Sequence, residues 1–423
     1  MTLILPALGA TWLLCLLTEA FLLNRWRRAI PLRITVTGTR GKTTVARMLA
    51  SVLRESGRRV VAKTTGSEPA LLLPDGSEEP IRRRGRASIL EQKRLLRRAR
   101  REEAQVLVAE AMSLHPENHR AEAQGILRPH YTLATNFRVD HVAAAGESRE
   151  EVARVLGWGV AAGARIYVPE GELEEAFARQ VGARGGELMV IPEPSPVSPS
   201  PEARADAGSA GVWSFPENES LVRALCRELG VEEEVVHRGL RKAGMDVGAP
   251  EVWQVFRGSE KGGARVVNAF AANDPESTER LLARCRQLLA PERGEAGKGE
   301  RVLPREEHWA GLLLLREDRG DRTHQWIRAL EGGFLEELDS LAVWGIHGQA
   351  LRRKVLRGLS PEERERWKGK LRVLKEKGPE DLSRAVLHTL PPAGGVVFGF
   401  GNIVGQGQRL VRYWRKVGRP HGA

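Results

Sequence analysis

Residues 37–44 read TGTRGKTT and directly follow the alternating run Leu32-Arg33-Ile34-Thr35-Val36. Two glycines, a lysine and two threonines between a strand and a helix have the makings of a phosphate cradle. Gly38 and Gly41 let the backbone turn so that several N–H groups face one anion at the positive end of a helix. Lys42 would reach terminal phosphates, and Thr43 would place a hydroxyl on Mg²⁺. The common spacing G-x-x-x-x-G-K-[ST] wants glycine where Val36 stands, so the loop is a variant, G-T-x-G-K-T. The competing reading is a glycine turn without a ligand.

Two further groups sit at the C-terminal ends of expected strands, where open α/β sheets bind ligands. Glu110 ends the run VLVAE, and Asn136, Asp140 and His141 follow in ATNFRVDH. Taken singly, Glu110 reads as a polar strand end and His141 as a loop histidine. Their position relative to the glycine loop makes them candidate metal ligands.

These side chains need a scaffold, and the chain supplies its pattern. Ile34–Val36, Val60–Ala62, Gln105–Ala109, Tyr131–Thr135, Ala164–Val168 and Leu188–Ile191 read as short buried strands. Between and after them, Val45–Ser56, Ala87–Arg101, Arg149–Ala162, Asn218–Leu229 and Glu232–Ala243 have helical periodicity. Such alternation predicts an α/β fold with a mostly parallel sheet under helices. A second α/β unit begins near Gly248, with strands expected at Arg265–Ala269, Ala310–Leu315, Leu341–Gly345, Leu371–Leu374 and Gly395–Gly399. Residues 192–211, rich in Pro, Ser, Ala and acids, read as an insertion. Residues 291–307 form another.

The chain has 423 residues, 41% hydrophobic and 28% charged, enough for two or three cored domains and unlike a disordered composition. Its three cysteines, Cys15, Cys226 and Cys285, lie far apart, which argues for reduced thiols and against zinc. Leu3 through Leu23 carries a single charge, Glu19, over 21 residues. At about 1.5 Å per residue that run can cross a bilayer. Arg25, Arg27, Arg28 and Arg33 follow it and nothing basic precedes it, so the positive-inside rule puts everything from Asn24 onward in the cytoplasm. The alternative is an N-terminal helix buried in protein.

TGTRGKTT, VLVAEAMS and TNFRVDH together resemble the ATP-dependent Mur ligase superfamily, with its G-T-x-G-K-T/S loop, strand-end Glu and N-x-x-x-D-H motif. VNAFAANDP, residues 267–275, resembles the segment that opens that family's C-terminal domain. Within the superfamily the chain is most similar to the poly-γ-glutamate synthase ligase subunits (the PgsB/CapB type), which carry a membrane segment before the ATP domain. Only about 30 residues precede the loop, too few for the nucleotide-sugar domain of the cell-wall ligases.

The resemblance implies a domain plan of a membrane anchor at 1–28, a P-loop ATP-binding domain at 29–247 and a smaller α/β C-terminal domain at 248–423. It implies ATP and Mg²⁺ as cofactors, with Gly38, Thr39, Gly41, Lys42, Thr43, Thr44 and Asn136 on the nucleotide. Thr43, Glu110 and His141 become metal ligands; Lys42, Glu110 and His141 become the catalytic groups; Asn268 and Asp274 lie near the nucleotide. The reaction implied is amide formation through an acyl phosphate, with glutamate and growing poly-γ-glutamate as substrates and small integral-membrane subunits as partners. The other expectations kept open are a different Mur-type ligase, or an anchored P-loop ATPase or kinase that forms no amide. Many superfamily members use a carbamylated lysine after the D-H motif, whereas here no lysine occurs between Lys93 and Lys242.

Ten Lys/Arg against three acids between Arg82 and Glu103 give that stretch +7 of the chain's +12. It reads as an amphipathic helix with Ile89, Leu90, Leu95, Leu96 and Ala99 inward. Its outer face is simply solvated, rests on anionic lipid, or guides a polyanionic product. Nucleic acid is disfavoured by the absence of interleaved aromatics. The C-terminal VVFGFGNIVGQGQ fails the dinucleotide spacing and receives no cofactor.

Overall fold

A computed structural model describes residues 4–66, 68–83, 85, 87–113, 115–139, 142–193, 215–244, 248–256, 263–289, 308–318 and 320–420. The expected Asp140 and His141 lie outside the described residues, as do nearly all of the 192–211 insertion and the whole of 291–307. Two compact units result, one holding the described residues up to Glu193 together with 215–244, the other those from Gly248 onward.

In the first unit the strands are β1 (Leu32–Thr37), β2 (Val60–Lys63), β3 (Ala70–Leu72), β4 (Glu78–Pro80), β5 (Val106–Glu110), β6 (Tyr131–Ala134), β7 (Arg165–Pro169) and β8 (Glu187–Ile191). They form one sheet in the order β4-β3-β2-β5-β1-β6-β7-β8. From β2 to β8 across the sheet every pairing is parallel. β3 and β4 add an antiparallel hairpin at one edge. The sequence pattern missed that hairpin because each strand is three residues long and β4 is wholly exposed, leaving no hydrophobic period to read.

Both faces of the sheet are covered, so its central strands alternate between two cores rather than between core and water. Val106 and Val108 of β5 meet Val45, Leu49 and Val52 of helix Lys42–Glu55, while Leu107 and Ala109 meet Leu95, Leu96 and Ala99 of helix Glu91–Arg101. β1 is flanked by β5 on one side and β6 on the other. The chain thus changes direction across the sheet at β1, which leaves a crevice at the C-terminal ends of these strands.

Helix α1 (Ile4–Arg28) is the one helix among the described residues long and apolar enough to cross a membrane by length and composition. Leu8, Trp12, Leu13, Leu14, Leu17 and Phe21 are exposed on it. Its C-terminal end is different. Leu23 is buried with Ile30, Leu95 and Leu96, and Arg27 Nη1 donates to the carbonyls of Gly125 (2.8 Å) and Ile126 (3.3 Å). Ala29, Ile30 and Pro31 alone separate α1 from β1.

Helix α2 (Lys42–Glu55) starts on Gly41, and α3 (Glu91–Arg101) is the basic helix. α3 begins four residues later than the pattern predicts, and Leu90, expected inward, is 53% exposed. At 100° per residue Leu90 falls roughly opposite Leu95, Leu96 and Ala99, which are buried as expected.

The second unit adds β9 (Glu251–Val255), β10 (Ala264–Ala269), β11 (Trp309–Leu314), β12 (Ser340–Trp344), β13 (Leu371–Leu374), β14 (Gly395–Phe400) and β15 (Arg419–Pro420), in the order β13-β12-β11-β14-β10-β9-β15. The five strands read from the sequence are mutually parallel. β9 and β15, both unforeseen, close the edge antiparallel. Fully buried Trp414 stacks on Phe270 and donates its indole N–H to Ser383 Oγ (2.9 Å).

Candidate functional site

The loop joining β1 to α2 lies over the crevice. Gly38 has φ +124° and Gly41 φ +80°, both outside the comfortable range of L side chains. Space forbids substitution as well: a Cβ on Gly38 would lie 2.1 Å from Thr135 Oγ1, and one on Gly41 2.8 Å from Asn218 Oδ1. Val45 N–H closes the first α2 bond on Gly41 O at 2.9 Å, so the N–H groups of the preceding turn point out of the helix end toward the loop. Thr44 lies in that turn, half-buried. Lys42 Nζ curls back over the loop, donating to Gly38 O (2.8 Å) and Thr39 O (3.3 Å).

The segment after β6 holds the loop in shape. Asn136 Oδ1 accepts from Thr39 Oγ1 (2.6 Å) and Arg40 N (3.0 Å), and its Nδ2 donates to Arg40 O (3.1 Å). Thr135 Oγ1 donates to Arg40 O at 2.5 Å, and Arg138 N donates to Thr39 Oγ1 at 3.0 Å. Asn136, expected on the nucleotide, therefore spends both ends of its amide on the loop. Arg138 in turn is buried against Glu172, 3.0 Å away, which also pairs with Arg149 at 2.8 Å. The sequence pattern carried no sign of Thr135, Arg138 or Glu172, because their partners are 23 to 99 residues away.

Thr43 and Glu110, 67 residues apart, meet: Thr43 Oγ1 donates to Glu110 Oε2 at 2.9 Å, and Thr65 N–H donates to the same oxygen at 2.6 Å. Glu110 is 2% exposed. A hydroxyl and a buried carboxylate side by side at the start of a helix form a hard-oxygen pair suited to Mg²⁺. Among the described residues no three His, Cys, Asp or Glu side chains cluster as a metal site, so the pair accounts for two ligand positions and no more.

Behind the crevice Gln92 of α3 donates to Glu110 O (3.1 Å) and Glu122 Oε1 (2.5 Å). His119, on the segment after β5, is buried and its pKa is pushed down to about 4, first by burial and then by the nearby charges of Lys42 and His115. It is neutral at physiological pH. Neither group stood out in the sequence, since a lone Gln on a basic helix and a His two residues after Glu117 match no spacing rule.

Asn268 and Asp274 belong to the second unit. Asn268 is fully buried, donating to Ala249 O at 2.8 Å, and Asp274 Oδ1 accepts Ser277 N at 2.9 Å at the start of helix Pro275–Leu289. Both shape the turn that follows β10.

Comparison with known proteins adds five findings. The Mur ligase middle domain family matches residues 36–156, and the family described as the poly-gamma-glutamate synthase CapB C-terminal domain matches residues 255–417. "PGA synthase CapB" of Bacillus subtilis (strain 168) is 26% identical over 385 residues, covering 90% of each chain. "Capsule biosynthesis protein CapB" of Bacillus anthracis is 29% identical over 306 residues, 71% of this chain, which spans 60% of that protein. Among solved structures, Escherichia coli FolC in complex with DHPP and ADP superimposes with TM-score 0.61 at 16% identity, covering 94% of this chain and 91% of that one. At that identity the likeness is one of fold.

Proposed function

This chain belongs to the Mur ligase superfamily, and on that premise we propose that it is an ATP-dependent amide ligase that adds glutamate to poly-γ-glutamate at the cytoplasmic face of a membrane. The observation that carries the reading is the meeting of Thr43 Oγ1 and Glu110 at the mouth of the Gly38–Gly41 cradle. Mg·ATP would supply a phosphoryl group that converts a carboxylate into an acyl phosphate, from which an incoming amine displaces phosphate. The chain's residues do the rest. Gly38, Thr39, Gly41 and Thr44 line the cradle, and Lys42 unfolds from Gly38 O to neutralise charge on the transferring group. Thr43 and Glu110 hold the ion, and His141 is proposed as a further ligand. Asn136 positions the loop, while Asn268 and Asp274 shape the turn after β10 in the second unit.

The same reading makes α1 a single-pass anchor, with Arg25, Arg27 and Arg28 on the cytoplasmic side and small integral-membrane subunits as partners. The domain plan proposed is 1–28 as the anchor, 29–247 as the ATP-binding domain and 248–423 as the C-terminal α/β domain.

Glutamate-dependent release of ADP and phosphate, with the γ-linked product followed by mass spectrometry, tests the proposal. ATP turnover indifferent to any amino acid would favour an anchored ATPase instead. Product formed without ADP release would sink the mechanism.

A further inference from the structure

α3 carries a basic outer face whose position relative to α1 is fixed by contacts. Leu95, Leu96 and Ala99 bury its inner side against Leu23 and Ile30, and Lys93 pairs with Glu19 of α1. Glu19 lies four residues nearer the apolar end than Leu23, about 6 Å along the helix axis at 1.5 Å per residue. That rise matches the depth of one headgroup layer, roughly 5–7 Å. The N-terminal end of α3 is therefore held at the level where the apolar helix would enter the bilayer. Leu90, Arg94, Arg97 and Arg101 recur at helical spacing along its outward side, with Arg100 beside them, and all five are exposed. The four arginines have no ion-pair partner among the described residues. By contrast Arg98, on the flank, is paired with Glu79 and Glu102.

We propose that this face of α3 is a membrane footprint: Leu90 dips into the interface and Arg94, Arg97, Arg100 and Arg101 rest on anionic lipid headgroups, fixing the first unit against the bilayer. The inference rests on the anchor reading of α1. Charge complementarity selects anionic lipid over a zwitterionic surface, and an exposed leucine in line with the arginines suits an interface better than a soluble polyanion.

The test uses the full chain in phospholipid vesicles. Leu90→Cys is labelled with a polarity-sensitive fluorophore in a Cys15→Ser background. Cys226 and Cys285 stay unlabelled, since both are buried and burial pushes the Cys226 thiol up to about 12. In phosphatidylcholine containing phosphatidylglycerol the emission should shift to the blue, be quenched by lipid-borne nitroxide, and revert in high salt. Replacing the four arginines by Gln should weaken docking about five-fold per residue while the protein remains carbonate-resistant in the membrane and binds ATP. A carbonate-resistant protein whose label ignores lipid charge overturns the footprint and leaves the anchor standing. A label that responds to added poly-γ-glutamate in pure phosphatidylcholine, and not to phosphatidylglycerol, assigns the face to product and also overturns it. Protein extracted by carbonate would overturn the anchor reading, and the footprint with it.

Discussion

On the proposed reading, Lys42, Thr43 and Glu110 have separable duties. Lys42→Ala removes a point charge and spares the backbone cradle. Turnover should fall about 10²–10³-fold, the effect of losing a contact worth roughly 3–4 kcal/mol to transferring charge. Nucleotide binding, measured by calorimetry, should weaken less. Thr43→Ala and Glu110→Ala should instead raise the Mg²⁺ concentration needed for amide formation. Gly38→Ala should abolish nucleotide binding, and Thr135→Ala should not restore it. A new Cβ would still face Asn136 N at 3.0 Å and Asn136 O at 3.1 Å at a φ of +124°. His119 gives a pH signature. Its folded pKa, about 4, is below the ordinary 6.5, so the unfolded chain takes up the proton first. Stability contributed by neutral His119 is complete above pH 6.5 and is lost as pH falls toward 4, amounting to about 3 kcal/mol. Thermal melts of His119→Asn between pH 7.5 and 5 should be flatter than those of the parent; parallel curves would refute this.

At the level of elements, long buried strands and amphipathic helices were legible because burial writes itself into sequence as period. β1, β5, β6 and β7 are parallel, paired on both sides and mostly buried, and their apolar runs stood out. The hairpin β3–β4 and the two-residue edge strand β15 were not legible, since pairing at a sheet edge depends on backbone rather than on side-chain pattern. The site divides in the same way. The glycine loop and Glu110 announce themselves by type and position. The braces Asn136, Thr135 and Arg138 act through contacts nearly a hundred residues apart in sequence, which no local spacing encodes. Those braces continue outward to the 3₁₀ turn Glu170–Glu172 through the buried Arg138–Glu172 pair. Glu172→Ala removes the buried carboxylate that pairs with Arg138 at 3.0 Å and Arg149 at 2.8 Å. It should lower unfolding free energy by about 3 kcal/mol in denaturant titrations. It should also raise the KM for ATP, because Arg138 N holds Thr39.

For the whole molecule, the ends of α1 behave as different materials. Residues before Leu22 contribute exposed apolar surface, whereas Leu23 and Arg27 belong to the core of the first unit. Deleting 1–21 should leave a soluble, ATP-binding protein that no longer makes polymer in cells. Deleting 1–28 should in addition lower the melting temperature, since it removes Leu23 and the Arg27 bonds to Gly125 and Ile126. Equal melting temperatures for the two truncations would show that the docked end of α1 is idle.

The short connection Ala29-Ile30-Pro31 has a mechanical meaning. With α1 seated on the first unit and running almost directly into β1, there is no slack between span and sheet. The phosphate loop sits at the far end of that same strand, about 20 Å away at 3.3 Å per residue. In an anchored enzyme the arrangement is a rigid mast. The height of the reacting centre above the lipid is set by covalent geometry, and a change in the tilt of the span swings the whole first unit with it. On the proposed reading, bilayer thickness, which biases that tilt, would become a lever on where the product is delivered. A flexible leash would leave an anchored enzyme blind to the thickness of its bilayer.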